Sequence, residues 1–360
     1  MFSGLAHTLA GEHVHVHLPG GSFYYTRREP FGVSALASAP GIIRFRWPCG
    51  NPRQPWPAAT AWCSSPPRSR PLPPLAPWQL AEIYAEAGLP AGLFSVVQGG
   101  RRHRPSSNTQ TLRRCRFTGG VAGGQAVAEA AGRLIRPVTL ELGGKSPLII
   151  FADADLDEAV RGAVLANYLC QGQVCSNAAR VFVERRILDD FVDRLLRRGR
   201  GPSTSTPSGS WATSASAEAE GAKRLFGGDR VEVPAPGDGH FLAPWLRAGQ
   251  LLRRDAAPSA KRSSARCSPL LEFDTERLRR SACRAGVFTR DLARAHRVIG
   301  ELQAGSLYIN TYNSYPPGVP FGGYKMSGFG RENCAESLRS YSQVKSVYVE
   351  CAGIQLPTVP

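Results

Sequence analysis

The chain has 360 residues, of which 42% are hydrophobic, enough for a sizeable core in one large domain or two. It contains no run of 18 or more apolar residues, and residues 1–20 lack the basic-then-apolar order of a signal peptide, so we predict a cytoplasmic protein without a membrane partner. Nine cysteines without a paired CxxC pattern favour reduced thiols over a metal centre.

The net charge of +16 is concentrated in a few stretches of the chain. Four stretches together carry 21 basic side chains and one acidic side chain, which more than accounts for the excess. An extended basic surface is typical of proteins that bind nucleic acid or anionic membranes. Because the charge here is confined to segments unlike the rest of the chain, we predict no nucleic-acid partner. The stretches are 40–71, 101–116, 244–271 and 277–284.

The first hundred residues give few signals of regular structure. His13, His15 and His17 alternate as on a metal-binding strand, but no further ligand residue lies nearby, and we predict no metal site. Residues 40–71 are rich in Pro, Ser, Arg and Trp and follow neither the helical nor the strand period, a composition typical of linkers. Apolar residues at mostly helical spacing predict a helix over residues 80–89.

Residues 137–194 alternate between strand patterns and helix patterns. The apolar runs VTLEL at 138–142 and PLIIF at 147–151 are typical of buried strands, and Gly143 and Gly144 form the turn between them. A helix pattern, a strand pattern and a second helix pattern follow. Such alternation predicts an α/β fold with a mostly parallel sheet.

The first of these helices is predicted from DADLDEAVRGAVLANYL at 153–169, with Asp153 or Asp155 as the N-terminal cap. RVFVERRILDDFVDRLL at 180–196 predicts the next strand and helix, and residues 198–216 again resemble a linker. We expect the apolar stripe of the first helix to consist of Val160, Val164, Leu165 and Tyr168.

Regular patterns return near the C-terminus. QAGSLYIN at 303–310 and SVYVE at 346–350 predict strands, and PFGGYKMSGFGREN at 320–333 predicts a glycine-rich loop.

Two motifs contain residues suited to covalent chemistry at a carbonyl carbon. A thiol can form an adduct with the carbon, and a carboxylate can activate the water that hydrolyses the resulting thioester. Taken alone, a cysteine is more often a small buried residue than a nucleophile, and a glutamate in an apolar strand is unusual. The surrounding residues change this interpretation for Glu141 in VTLELGGKSP (138–147) and Cys175 in QGQVCSNAARVFV (171–183).

In order and spacing the two motifs resemble the signature motifs of the aldehyde dehydrogenase superfamily. In that family the Glu of LELGGKSP is the general base and the Cys that ends GQVC is the nucleophile. The resemblance therefore assigns these roles to Glu141 and Cys175, which lie 34 positions apart. Cys170 we interpret as structural.

The segment FTGG at 117–120 resembles the family's strand-to-helix turn at the cofactor. The resemblance makes Gly119, Gly120 and Leu142 the candidate contacts of NAD, with NADP as an open alternative, because glycines let the backbone approach a dinucleotide. Residues 305–333 match the family's C-terminal region and are most similar to the betaine-aldehyde and 4-trimethylaminobutyraldehyde branch.

The resemblance implies an aldehyde-dehydrogenase-like α/β fold with a Rossmann-type cofactor domain, incomplete here, and an α/β catalytic domain. It implies NAD(P)-dependent oxidation of a small aldehyde, with an aminoaldehyde as one candidate, to a carboxylate through a cysteine thiohemiacetal and thioester. It also implies a homo-oligomer.

We predict four regions along the chain. Residues 1–33 end in a hairpin for oligomerisation, and residues 34–143 form a dinucleotide-binding domain whose N-terminal portion we expect to be absent. Residues 144–340 form the catalytic domain, disrupted over 198–284, and residues 341–360 supply a C-terminal strand for oligomerisation and a tail.

The basic stretches depart from the family pattern, and a shifted reading frame explains them. If Pro40–Arg46 is encoded by CCT GGA ATT ATC CGT TTC AGA, the offset frame spells WNYPFQ, which resembles family text that contains the oxyanion-hole Asn. Offset readings of 108–117, 260–267 and 279–283 also give family-like text. The alternative function is therefore a catalytically inactive, pseudogene-like remnant that at most pairs with an intact homologue through residues 341–350.

Overall fold

The structure is a computed structural model. Most of the basic stretches at 40–71, 101–116 and 244–271 lie outside the residues that it describes, as do His15, His17 and the side chain of Cys170. Most of the predicted disruption at 198–284 is outside them as well. The described residues are 8–14, 21–38, 60–64, 75–98, 112–172, 174–198, 204–205, 223–226, 230–231, 241–242, 245–248, 267–274 and 281–354.

Strands and helices alternate through most of these residues. The helices are α1 Leu75–Glu86, α2 Val121–Gly132, α3 Leu156–Tyr168, α4 Leu188–Arg198, α5 Leu292–Glu301 and α6 Ala335–Arg339. The strands are β1 His13–Val14, β2 Phe23–Pro30, β3 Val33–Ser38, β4 Thr60–Ser64, β5 Phe94–Gln98, β6 Leu112–Gly119, β7 Val138–Leu142, β8 Ser146–Ile150, β9 Ala178–Glu184, β10 Thr204–Ser205, β11 Lys223–Phe226, β12 Arg230–Val231, β13 Phe241–Leu242, β14 Trp245–Ala248, β15 Cys267–Phe273, β16 Ser281–Phe288, β17 Gln303–Ile309, β18 Gly328–Phe329 and β19 Ser342–Val349.

The N-terminal sheet has the strand order β18-β7-β6-β3-β4-β5. Its strands run parallel except β18, which is antiparallel to β7. The chain moves outward from β3 through β4 to β5 and then returns to the other side of β3 at β6. In open α/β sheets such a reversal creates a crevice at the carboxyl ends of the strands, where ligands bind.

The central sheet has the strand order β11-β14-β15-β9-β8-β16-β17. All of its described pairs are parallel except β11 with β14. It begins with β8, only four residues after β7 ends in the N-terminal sheet. The carboxyl end of β7 therefore faces the amino ends of β8 and β9. The strand and helix alternation confirms the α/β fold class.

Helix α3 packs against the central sheet and forms its largest core cluster. Asp155 caps the helix by accepting hydrogen bonds from the backbone N–H groups of Asp157 and Glu158, so the second of the two predicted caps is correct. The prediction that Leu165 faces the core is wrong, because 41% of this residue is exposed. Val160 is buried as predicted, together with Ala159, Ala163 and Ala166, and this face packs against Leu148, Ile150 and Phe288.

Small residues on this face let the helix approach the sheet closely. A Cβ on Gly162 would lie 2.2 Å from the ring of Phe288, so only glycine fits there without a shift of the helix. Each fully buried Val, Leu or Ile side chain contributes roughly 1.5–3 kcal/mol to the stability of the fold. The parallel strands beneath the helix are correspondingly apolar on both faces.

The two ends of the described chain meet in a three-stranded sheet with the order β1-β2-β19. All eight residues of β19 pair with β2, from Ser342 opposite Pro30 to Val349 opposite Phe23. The strand predicted at 346–350 is therefore confirmed and begins four residues earlier. The division into four regions stays a prediction, and β18, which lies within 144–340, belongs to the N-terminal sheet.

Candidate active site

Glu141 is the fourth of the five residues of β7, which lies between β18 and β6. In β7 it is paired with Thr118 of β6 on one side and with Gly328 of β18 on the other. Its side chain is 1% exposed, and neither carboxylate oxygen has a hydrogen-bond partner among the described residues. Burial therefore raises the pKa of Glu141 well above its ordinary value, and the nearby charges of Cys175 and Glu332 raise it further.

A glycine makes the pairing at Glu141 possible. Gly328 has a φ of +112°, and a Cβ at this position would lie 1.9 Å from the carbonyl oxygen of Leu140. The glycine-rich segment predicted as a loop at 320–333 therefore contains a short strand, since β18 closes the edge of the sheet beside Glu141.

Cys175 lies in a tight turn just before β9. The backbone N–H of Asn177 donates to the carbonyl oxygen of Val174 at 3.2 Å and closes the turn around Cys175. The side chain of Cys175 is partly exposed and carries a thiol, whereas Ser176 beside it is fully buried. Because β8 and β9 pair from Ser146 and Ala178 onward, this turn lies at the amino edge of the central sheet, opposite the carboxyl end of β7.

Buried amides and a tyrosine hold the turn in place. Asn177 donates to the carbonyl oxygen of Leu169 at 3.0 Å, and Asn313 donates to the side-chain oxygen of Asn177 at 2.9 Å. The hydroxyl of Tyr315 is hydrogen-bonded to the side-chain oxygen of Asn313 and to the hydroxyl of Ser176. The two residues that follow Cys175 are thus held by side chains from the segment after β17.

Glu141 and Cys175 lie close enough to interact electrostatically. Burial is the main cause of the raised pKa of Glu141 and of Tyr315. The nearby charge of Cys175 adds to the increase in both. The structure therefore brings together the two residues that the signature motifs identified, at the seam between the N-terminal and central sheets.

Among the residues that the structure describes, Arg284 of β16 is the largest fully buried side chain, with 1% exposure. Its guanidinium carbon lies 3.6 Å from the centre of the Phe321 ring and 4.5 Å from that of Tyr315. It also donates to the hydroxyl of Tyr308 at 2.7 Å. Its positive charge reaches Glu141, where it opposes part of the increase in pKa that burial causes.

The strand-to-helix turn at 117–120 lies at the reversal point of the N-terminal sheet. Strand β6 ends at Gly119, Gly120 is the N-cap of α2, and the first helical hydrogen bond runs from Gly124 to Gly120. Gly120 has no side chain with which to cap the helix, and helix N-termini without such a cap are typical phosphate-binding sites. A Cβ on Gly124 would lie 2.6 Å from the side chain of Leu142, which therefore packs beneath α2.

Several residues of this region were not identified from the sequence. Asn177, Asn313 and Tyr315 lie inside or beside the recognised motifs, which could have suggested them. Arg284 belongs to the basic stretch 277–284 that was interpreted as out of frame, and nothing in its local sequence indicated a buried side chain. Arg116 of β6 was missed for the same reason.

Metal-binding clusters and membrane-spanning helices are both absent from the described part of the chain. That part contains no group of three or more His, Cys, Asp and Glu side chains positioned to hold a metal ion. Among the same residues no helix is long and apolar enough to cross a membrane.

The chain is similar to proteins of known activity over nearly its whole length. It is 40% identical to 4-trimethylaminobutyraldehyde dehydrogenase A of Danio rerio, over 98% of this chain and 73% of that protein. It is 42% identical to 4-trimethylaminobutyraldehyde dehydrogenase of Homo sapiens, over 98% of this chain and 75% of the relative.

Solved structures show the same fold. Betaine aldehyde dehydrogenase of Staphylococcus aureus, in complex with NAD+, superposes with a TM-score of 0.83 and 26% identity, over 100% of this chain and 75% of that one. An NAD-dependent aldehyde dehydrogenase of Sinorhizobium meliloti gives a TM-score of 0.83 and 26% identity, over 99% of this chain and 74% of that one. A model described as the aldehyde dehydrogenase family matches residues 1–250 and 279–347. The chain belongs to the aldehyde dehydrogenase family.

Proposed function

We propose that the protein oxidises an aldehyde to a carboxylate with NAD(P) as the electron acceptor. The observation that supports this most strongly is the juxtaposition of a partly exposed thiol, Cys175, with a buried carboxyl group, Glu141, at the seam between two parallel sheets. The relatives are named for 4-trimethylaminobutyraldehyde, so aminoaldehydes are the first substrate class to assay.

Cys175 is the nucleophile in this proposal. Its thiolate attacks the aldehyde carbon, so that an S–C bond forms and the carbonyl π electrons move to oxygen, giving a thiohemiacetal. When bound, NAD(P) supplies a nicotinamide ring that accepts the hydride from this carbon. The carbon then stays attached to Cys175 as a thioester. The hydrogen bonds from Asn313 and Tyr315 to the turn hold the sulfur in position throughout.

Glu141 is the general base for the second half of the reaction. It takes a proton from water, the resulting hydroxide attacks the thioester carbon, and the C–S bond breaks to release the carboxylate product and the Cys175 thiolate. The raised pKa of Glu141 makes it a strong base once it is ionised. The partial opposing effect of Arg284 favours the ionised form that this step requires.

The turn at Gly119 and Gly120 supports a dinucleotide site. We propose that the pyrophosphate lies against the N-terminus of α2, where backbone N–H groups and the helix dipole favour negative charge. Leu142 contributes from beneath, by packing against α2 and fixing the turn. We also place the protein in the cytoplasm, where a thiol nucleophile stays reduced.

NADH absorbance with purified protein and a panel of small aldehydes tests this proposal. We expect aldehyde-dependent NADH formation that Cys175→Ala abolishes and that Cys351→Ala, at an exposed thiol, leaves unchanged. Folded protein that forms no NADH with any aldehyde, or an active Cys175→Ala variant, would contradict it.

The alternative is an inactive protein that binds an intact homologue through β19. This strand lies at one edge of the three-stranded sheet, and Val344 and Tyr348 on one of its faces are 53% and 55% exposed. The same edge would join copies of this chain in a homo-oligomer. Size-exclusion chromatography of the parent and of Val344→Lys, alone and mixed with an intact homologue, reports which species form. It distinguishes a chain that assembles with itself from an inactive chain that binds only the homologue.

A further inference from the structure

A buried cation lies next to the candidate site. The guanidinium of Arg284 lies over the faces of Phe321 and Tyr315, at 3.6 Å and 4.5 Å from the ring centres, and donates to the hydroxyl of Tyr308. An arginine stays protonated at every pH at which a protein is folded. The aromatic faces that it covers are the kind of surface on which a cationic ligand is otherwise recognised.

Arg284 is placed there by the sheet. Strand β16 lies between β8 and β17, and the backbone N–H of Arg284 donates to the hydroxyl of Ser146, the first residue of β8, at 3.3 Å. This is the edge of the central sheet that faces the carboxyl end of β7.

The two aromatic partners of Arg284 contact each other and border the candidate site. Tyr315 is hydrogen-bonded to Ser176, the neighbour of Cys175. Phe321, near the start of the glycine-rich segment, pairs with Glu332 near its end, and between them Gly328 pairs with Glu141. The positive charge also reaches the reacting groups, since Arg284 opposes the effects that raise the pKa of Glu141 and Tyr315. The cation therefore lies within the electrostatic reach of the site.

We propose that Arg284 is a specificity-determining residue, and that the site takes an aldehyde without positive charge and rejects one that ends in a quaternary ammonium. This inference rests on the proposed aldehyde oxidation and specifies its substrate class. Because the guanidinium occupies the faces of Phe321 and Tyr315, a second cation finds neither those faces nor a favourable field beside Cys175. The substrate preference thus differs from that in the names of the curated relatives.

A pair of aldehydes with the same shape isolates the effect of charge. In 5,5-dimethylhexanal a carbon atom replaces the nitrogen of 4-trimethylaminobutyraldehyde, so the two differ in charge and not in outline. We expect the parent protein to show a kcat/KM for the neutral aldehyde at least about tenfold higher, and Arg284→Met to reduce or reverse that ratio. Arg284→Lys, which keeps the charge, retains the preference. Equal values for both aldehydes in the parent, or a ratio unchanged in Arg284→Met, would overturn the proposal.

A second measurement does not depend on turnover. Cationic and anionic methanethiosulfonate reagents of similar size modify thiols at rates that follow the local potential, and peptide mass spectrometry reports the rate at Cys175. We expect the anionic reagent to react faster at Cys175 of the parent, and the ratio of the two rates to fall in Arg284→Met. The exposed Cys351 of the same molecules is the internal control.

The two experiments separate the two proposals. If no aldehyde is oxidised but the rates at Cys175 shift as expected, the proposed oxidation fails, and only the effect of Arg284 on the potential at Cys175 stands. If aldehydes are oxidised and neither ratio depends on Arg284, the enzyme stands and the specificity role fails.

Discussion

Arg116 and Glu332 form a buried ion pair, with Nε of Arg116 lying 2.8 Å from Oε1 of Glu332. The pair joins β6 of the N-terminal sheet to the glycine-rich segment near the C-terminus. The pair also borders the site. Burial has the largest effect on the pKa of Glu141, but Glu332 raises this pKa further and Arg116 lowers it. The ion pair thus holds the glycine-rich segment that covers the edge of β7, and it also affects the ionisation of Glu141.

Replacing Glu332 by Gln should leave the charge of Arg116 buried without its counterion. We expect a loss of about 3–5 kcal/mol in the free energy of unfolding, measured by urea denaturation. Glu158→Gln is the matched control, since Glu158 pairs with Arg161 at the exposed surface of α3 and should change stability by less than about 1 kcal/mol. Similar losses in both variants would show that the buried pair has no special role.

The pKa of Glu141 predicts a pH dependence of stability. Burial and the nearby charges of Cys175 and Glu332 raise this pKa in the folded state, while the unfolded chain ionises near the ordinary glutamate value of about 4.3. Between these two values the unfolded state releases a proton that the folded state keeps, so Glu141 makes stability fall as pH rises.

Glu141→Gln removes this dependence. We expect its melting temperature to exceed that of the parent at neutral pH and the difference to shrink toward pH 4, measured by differential scanning calorimetry. A difference that is constant with pH would contradict the raised pKa. In the active protein, kcat should rise with pH through the same pKa, because the base acts in its ionised form during hydrolysis of the thioester.

Gly328 should be sensitive to any side chain. Gly328→Ala places a Cβ 1.9 Å from the carbonyl oxygen of Leu140, which forces β18 away from β7. Gly318→Ala is a matched control, because Gly318 has a similar φ of +98° but no neighbouring atom within 4 Å of the point where a Cβ would lie. Both variants incur the strain of a positive φ, roughly 1–2 kcal/mol, and we expect Gly328→Ala to be clearly less stable by urea denaturation. Equal stabilities would mean that β18 is not held against β7.

The coding DNA tests the shifted frame directly. We expect the codons of Pro40–Arg46 to permit WNYPFQ in the offset frame, and those of 260–267 and 279–283 to give family-like text in the same way. Codons whose third bases forbid these readings would exclude the idea. The segments concerned lie largely outside the described residues, so DNA sequencing is the direct measurement.

Much of the fold between residues 137 and 198 could be predicted because strand and helix periods alternate there and are bounded by acidic caps. Glu141 and Cys175 were identified from motifs, and the sheets then brought them together. Leu165 was misplaced because the helix pattern allowed more than one apolar face, and packing of small residues against Phe288 decided which face is buried.

Arg284 and the ion pair between Arg116 and Glu332 could not be predicted by such means. Each depends on contacts between segments distant in the chain, and arginine is rarely buried, so local composition favoured exposure. Their burial becomes understandable only when Phe321, Tyr315 and the glycine-rich segment are seen to lie around them.

The pairing of β18 with β7 also has a consequence for biosynthesis. During translation β7 leaves the ribosome long before Gly328 has been made, so the strand that carries Glu141 is for that time an unprotected sheet edge. A nascent chain that stalls or ends before β18 would expose this edge to other polypeptides and require a chaperone to shield it. Strand β18, which completes the candidate site, therefore also covers the edge of β7 at which other polypeptides could aggregate.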